Sequence, residues 1–452
     1  YTSEILTGGF SPANYRRSGR DAEIPANIEV YENGKQVLNQ TIGLRIHGGW
    51  SRSFPHKSFR LYARNFYSKD VMTYSFFKDL PYEDFQRIIL RNSGNDYSGT
   101  FFKDAFLQRL MSFSNLDYQE YNPFIIYING EYWGLLNARE RIDVKYFQRK
   151  YGFNDSEIDF LENIKGVIVG DTLHYTNFLS SLSDVDLTTE ETFKYVNTIM
   201  DVDNYIDYQS TKIYNCVNDW PRNNIRYWRY KIDQYQPKSP YGLDGRWRWV
   251  NVDNDIGFLS GNEDLNFFDW ALSPTGNDKG EKSTFLFRSL IENPTFKVNF
   301  LTRFSDLLNT AFLPDRVQSE IAYYRDLLDH DIVNYMDRWN VNNSEKFRWY
   351  DNIKILEDFA EVRADNCWKH MRSTFDLGET AEVTLDVDDI NKGHIKINTI
   401  EIDRNTPGVD SNKVYQWKGV YFKNLPITFI PIPEDGYKFS HWETTDSTSN
   451  ID

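Results

Sequence analysis

Residues 218–230 read NDWPRNNIRYWRY, and residues 249–258 read WVNVDNDIGF. In the first stretch Asp219 is followed, after four intervening residues, by Asn224, and the stretch is entered from Asn204–Asn215, whose spacing is helical. In the second, Asp253-Asn254-Asp255-Ile256-Gly257 stands directly behind Trp249-Val250-Asn251-Val252, which reads as a strand. Each acidic segment therefore closes a regular element, the place where a fold can hold carboxylates in a fixed position. A chain that does this twice, in this order, predicts mixed helix and sheet rather than either alone.

Working outward, residues 25–64 alternate apolar and polar side chains, as in Ile28-Glu29-Val30-Tyr31 and Ser58-Phe59-Arg60-Leu61-Tyr62, and predict strands. Between them Gly43-Leu44-Arg45-Ile46-His47 runs into Gly48-Gly49-Trp50-Ser51-Arg52. From Thr100 to Phe113 the apolar residues Phe102, Ala105, Phe106, Leu110 and Phe113 recur at helical spacing, which leaves Lys103 and Asp104 on the exposed face. Asn129-Gly130 between Phe124–Ile128 and Tyr132–Leu136 is a strong hairpin signal. From Asp143 to Asn218 the pattern is helical, strands return on either side of Asp244-Gly245, and 285–375 reads as a run of helices. Beyond Gly378 the period changes to that of strands, as in Ile395-Lys396-Ile397 and Ile427–Ile430. The expected organisation is α+β over residues 1–378, with a sheet-rich first part and a helical second part, followed by a small all-β, sandwich-like module over 379–452.

Composition narrows the function. The chain has 452 residues, 40% of them apolar, enough for a sizeable core. Fifty-one basic against 66 acidic residues give a formal charge of −15, which removes long-range attraction to nucleic acid or anionic membrane. No apolar run is long enough to span a bilayer, so no membrane insertion is expected. Cys216 and Cys367 have no metal-site spacing and are too few for a disulfide framework. The start at Tyr1, without a signal pattern, suggests a trimmed piece, and the stop at Asp452 leaves room for a further anchoring segment. No GxxxxGK[ST] loop, HExxH or GxSxG occurs, and the seven histidines are scattered.

Asp219 and Asn224 have the D-x-x-x-x-N interval of a phosphoryl-transfer loop, in which the carboxylate accepts the hydroxyl proton and the amide holds a metal. The His and Arg that usually precede that Asp are absent. Asp253 and Asp255 before Gly257 stand where a metal-binding carboxylate precedes a glycine. A triphosphate needs such a set, because its charge must be neutralised while another carboxylate orients the nucleophile. Taken singly, a D-x-x-x-x-N interval is common and Asp-Asn clusters usually make turns. Upstream, Gly48 and Gly49 with Ser51 and Arg52 would let backbone amides approach a phosphate, and Lys57 would pair with it. The plainer readings are a tight hairpin and a solvated lysine. Glu140 ends the hairpin at the place where the sheet-rich part would join the helical part, or is only a surface carboxylate paired with Arg139 or Arg141.

The stretches RIHGGWSRSFPHKSFRLYAR (45–64), LRNSGNDYSGTFFKDAFLQRL (90–110), YINGEYWGLLNARERID (127–143), NDWPRNNIRYWRY (218–230) and WVNVDNDIGF (249–258) together resemble the CotH kinase family, named for spore coat protein H, over roughly residues 25–375. The resemblance implies an atypical protein-kinase-like, two-lobed fold that binds ATP with Mg2+ or Mn2+ and phosphorylates serine in protein substrates outside the cytosol. By matching motif, Asp219 would be the catalytic carboxylate, Asn224, Asp253 and Asp255 the metal ligands, Lys57 a phosphate contact and Glu140 a nucleotide contact. The RIHGG form is similar to that of bacterial surface-attached members, which implies a secreted or cell-surface location. The tail from about Gly393, with Trp417–Phe422 and Gly436–Trp442, looks like the small β-modules of such proteins. Two other readings stand beside the enzyme: a catalytically degenerate kinase fold serving as a surface scaffold or adhesin, and an aromatic face that contacts polysaccharide or a cell-surface assembly.

Overall fold

A computed structural model describes residues 13–164, 166–274, 281–341 and 346–444. The first regular elements are β1 (Ile24–Glu32), β2 (Lys35–His47), β3 (Ser58–Tyr62), the two-residue β4 (Met72–Thr73) and β5 (Asp84–Phe85), and β6 (Arg87–Arg91). After α1 (Lys103–Arg109) come β7 (Tyr121–Ile128) and β8 (Glu131–Glu140). Six of these strands form one antiparallel sheet in the order β1-β2-β3-β6-β8-β7. The β7–β8 turn is Asn129-Gly130, both at positive φ (52° and 82°), which is why that dipeptide closes the hairpin.

The sheet has two chemically different faces, because side chains alternate along each strand. Phe59, Leu61, Ile88, Leu90, Leu136 and Ala138 share one face and pack with Met72, Phe76, Phe77 and Phe85 from the β3–β6 connection. The opposite face carries Arg45, His47, Ser58, Arg60, Tyr62, Arg91, Asn137, Arg139 and Arg141. α1 lies against that polar face through the loop that follows β6. It is shorter than the expected Thr100–Phe113 helix, since Phe101 at φ 72° interrupts its start. Lys103 and Asp104 are buried, not exposed, because the helix is enclosed on both sides: Arg139 and Arg91 reach Asp104 while Phe102 and Phe106 join the main core.

The chain continues through α2 (Val144–Tyr151), β9 (Ile158–Glu162), β10 (Gly166–Val169), α3 (Leu173–Leu182), α4 (Glu190–Ile199), α5 (Val202–Tyr214), β11 (Arg226–Tyr230) and β12 (Arg248–Val250). The expected helical stretch from Asp143 to Asn218 is thus broken by β9 and β10. Their short apolar runs pair with β11 in a second antiparallel sheet, β10-β9-β11-β12, so tertiary pairing overrides a weak local pattern. α5 is buried along nearly its whole length and starts where the Asp201 side chain accepts from Asn204 N. α6 (Phe267–Leu272), α7 (Glu281–Ile291), α8 (Pro294–Leu308), α9 (Pro314–Leu328), α10 (Ile332–Trp339) and the long α11 (Lys346–Phe375) complete the helical part, as the spacing of 285–375 predicts.

After α11 come β13 (Thr380–Leu385), β14 (Gly393–Ile397), β15 (Ile400–Ile402), β16 (Trp417–Phe422) and β17 (Phe429–Pro433), paired as β13-β16 and β15-β14-β17. They are anchored on α8. The fully buried Asp306 accepts from Thr399 N (3.0 Å), Thr399 Oγ1 (2.5 Å), Asn398 Nδ2 (3.1 Å) and Tyr421 Oη (2.9 Å), and Asn309 bonds both N and O of Val420. The whole is a mixed α and β fold of the α+β kind. Among the described residues no helix is long and apolar enough to cross a membrane.

Candidate active site

Beyond α5 the chain turns sharply, with Cys216 (φ 49°) and Asn224 (φ 58°) both in the left-handed region that costs energy for a non-glycine residue. Asp219 sits half-buried in this turn. Asn224 Nδ2 donates to its Oδ2 at 2.6 Å, while Oδ1 is buried and has no hydrogen-bond partner among the described residues. β11 and β12 then carry the chain back, and Asp253, again at positive φ (54°), follows β12. Arg91, at the end of β6, donates to Asp253 and to Asp255 Oδ2 (2.8 Å). Asp255 also accepts from Asn95 N (2.9 Å) and Asn95 Nδ2 (3.1 Å). Both Asp255 oxygens are therefore occupied, whereas the Asp253 side chain is 36% exposed and, among the described residues, is hydrogen-bonded to Arg91 alone. Gly94 makes this approach possible: a Cβ there would lie 2.0 Å from Asp255 Oδ2, and its φ is +61°.

The electrostatics bind the two acidic segments into one site. Burial, and next the Asp253 charge, push the Asp219 carboxyl up to about 6, against the opposing pull of Lys212. Burial and Asp253 also push the Asp255 carboxyl up, against Arg91 and the Asn95 amide. Lys212, fully buried on α5, donates to Val252 O (2.8 Å) and Asn254 Oδ1 (2.6 Å), so it ties the helix before Asp219 to the loop that carries Asp253. Its ammonium is drawn down to about 8 by burial, with Asp219, Asp104, Asp253 and Asp255 acting the other way. Asp104 completes the frame. Burial would raise its carboxyl, but Arg139 and Arg91 hold it well below the ordinary range, and it accepts from Asn254 N at 2.7 Å.

Asp219, Asn224, Asp253 and Asp255 are thus gathered at one place. The other expected contacts are not. Lys57 does not face the carboxylates: its ammonium is held by the carbonyls of Arg52 (2.8 Å) and Phe54 and lies over the Tyr15 ring. Its position in the chain explains this, since it has the parity of Phe59 and Leu61, which face the apolar core, and Arg60 has the opposite parity. Arg52 likewise turns to carbonyls, those of Gly48 (2.5 Å), Tyr15 (3.2 Å) and Arg17 (2.9 Å). Gly48, Gly49 and Ser51 form the β2–β3 turn, with Gly48 at φ 113° and a Cβ there set to meet Ser51 Oγ. Glu140 is buried on the apolar side of β8, bonded to Arg149 (2.8 Å) and Tyr82 (3.1 Å), because it is one residue out of phase with Arg139. Arg91, Gly94, Asn95 and Asp104, which lie in the 90–110 stretch, and Lys212 on α5 also belong to the site, although the sequence gives none of them a defined role there.

A family model described as CotH kinase protein matches residues 44–367, well over half of the chain, and the match takes in the sheet from the end of β2 onward, α1 and both acidic segments. The chain belongs to the CotH kinase family. Comparison with curated proteins finds no match. Membership in the CotH kinases points to kinase chemistry, and so to ATP and a divalent metal. Among the described residues no group of three His, Cys, Asp or Glu side chains forms a ready-made metal cage. Magnesium is usually held by one or two carboxylates, with phosphate oxygens and water filling the remaining positions. The part-exposed Asp253 and the Asn224 amide oxygen are hard donors of that kind, and Asp219 keeps an oxygen without a partner among the described residues beside them. The Asp253 charge raises the Asp219 carboxyl, as expected of two anions that face one cation position. These residues fit a divalent metal.

Proposed function

We propose that this CotH kinase is an ATP-dependent phosphotransferase, using Mg2+ or Mn2+, that phosphorylates serine residues of protein substrates outside the cytosol, from a secreted or surface-held position. The polar face of the six-stranded sheet and the helical part would form the two lobes of a protein-kinase-like fold, and β13–β17 would be a small all-β domain fixed to it. In this reading Asp219 accepts the proton of the serine hydroxyl. Asn224 and Asp253 would hold the metal. Asp255, both of whose oxygens are already bonded, positions Asp253 through their shared partner Arg91. When bound, the cation would neutralise phosphate charge at the transferring group. Lys212, on the helix that leads to Asp219, ties the two acidic segments together, and Asp104 fixes the second of them to α1, so the site is preorganised.

The observation that supports this reading is a single one: Asp219, with a buried unpartnered oxygen, stands close enough to Asp253 to be raised by its charge. Incubation with γ-labelled ATP, Mg2+ or Mn2+ and a serine-bearing protein acceptor should give labelled phosphoserine, lost in Asp219→Ala. The absence of both label transfer and ATP binding in either metal would sink the proposal.

A further inference from the structure

The polar face of the sheet carries more positive charge than its own carboxylates neutralise. Arg45 and Arg64 share the buried Glu23, and Arg87 and Arg141 share Asp143. Those four guanidiniums also ring Tyr62, at 4.4 to 5.9 Å from its centroid, and so belong to a closed structural cluster. Arg60 is different. It is half-buried on β3, and among the described residues it has no carboxylate partner; its Nε donates to His47 Nδ1 at 2.8 Å. That bond requires the His47 tautomer with hydrogen on Nε2, which leaves a second donor pointing from the same face. Arg226 approaches from the other side of the site. It opens β11, two residues after Asn224, and its strand partner Val250 lies just before Asp253; the Asp253 charge acts on it, and its one ion pair among the described residues is a long one, to Glu162 at 4.0 Å. Burial and the charges of Arg60, Arg91, Arg141 and Arg226 together hold the His47 imidazole well below its ordinary pKa, which places all of these cations around one point.

We propose that Arg60 and Arg226, with His47 as a further donor, bind the phosphate chain of the donor, one arginine from each side of the cleft, in the place expected of Lys57 from strand position and charge alone. The inference rests on the phosphotransferase reading and adds to it the residues that grip the phosphates. Charge and reach both favour them. Guanidiniums present forked donors to phosphate oxygens; Arg60, with no carboxylate partner among the described residues, keeps its full attraction for an incoming anion, and Arg226, with only a long pair to Glu162, keeps most of its donors free for one. An anion that bridges a residue of the first sheet and a residue of the second also draws the two parts of the molecule together.

The test is isothermal titration of the full chain in Mg2+ with ATP, inorganic tripolyphosphate and adenosine as separate probes. Arg60→Gln and Arg226→Gln should each lower the affinity for ATP and tripolyphosphate at least about tenfold and leave any adenosine binding unchanged, while Lys57→Gln stays within about threefold of wild type. Arg60→Lys, which keeps the charge, guards against a folding defect and should recover part of the loss. If wild type binds ATP and both glutamine variants bind it equally well, this assignment is overturned and the phosphotransferase reading survives. Tripolyphosphate binding that matches ATP would make the phosphate chain the whole ligand, in keeping with the assignment. If wild type binds neither ATP nor tripolyphosphate, both fall together.

Discussion

Replacing Asp219 by Asn should make the metal-free protein more stable at neutral pH while abolishing phosphoryl transfer. In the folded chain the carboxyl is raised from an ordinary 3.8 to about 6, first by burial and then by Asp253. A carboxyl raised on folding binds its proton more tightly in the native state, so its contribution to folding is fully present below about pH 4. That contribution is lost as the pH rises through 6. Above that the ionised side chain carries the full penalty of about 3 kcal/mol, reduced to about 2 kcal/mol by solvent screening at a half-buried position. The amide that replaces the carboxylate in Asp219→Asn bears no charge, and its oxygen can still accept from Asn224 Nδ2. Urea unfolding in chelator should therefore show the variant ahead by about 2 kcal/mol at pH 8, by about half of that at pH 5, and by nothing near pH 3. Saturating Mn2+ with ATP should return the advantage to wild type, because ligand binding favours the folded state that holds it. A variant that is less stable at pH 8, or whose advantage does not shrink on acidification, would refute the claim that Asp219 is held charged against its surroundings.

Arg91→Ala removes the cation that touches Asp253, Asp255 and Asp104, and should cost about 3–5 kcal/mol in chelator, as uncompensated buried carboxylates do; denaturant unfolding reads this directly. Gly94→Ala pushes a methyl group against Asp255 Oδ2 and should weaken Mn2+ binding at least about tenfold with a loss of only about 1–3 kcal/mol in stability, measured by metal titration and thermal unfolding. Asp306→Ala leaves Tyr421, Thr399 and Asn398 without their acceptor, at about 1–3 kcal/mol for each buried donor. Limited proteolysis should then cut beyond α11 in the variant and spare wild type; equal protection in both would show that Asp306 is not what anchors the β13–β17 strands.

The elements with the strongest local patterns were readable in the sequence. Asn129-Gly130 specified its hairpin, the alternation of 58–62 specified β3, and the two Asp segments declared themselves by following a helix and a strand. What local pattern could not supply was the partner across space. Arg91 acquires its role only when β6 is laid beside the loop of Asp253, 162 positions away in the chain. Asp104 looked solvent-facing because helical spacing describes one apolar stripe, whereas α1 is enclosed on its polar side as well. Lys57 was singled out for its charge, although the strand parity of Phe59 and Leu61 puts Arg60, not Lys57, on the polar face of the sheet. Glu140 failed for the same reason, being one step out of phase with Arg139. β9 and β10 escaped notice because strands of five and four residues hold only through their pairing with β11 and with each other.

Electron paramagnetic resonance of Mn2+ added with ATP bears most directly on whether the Asp219 and Asp253 segments share a cation beneath a nucleotide. Wild type should bind Mn2+ saturably in the presence of ATP, and Asp253→Asn should lose that signal while remaining folded. Undiminished Mn2+ binding in Asp253→Asn, or none in wild type with ATP present, would contradict it.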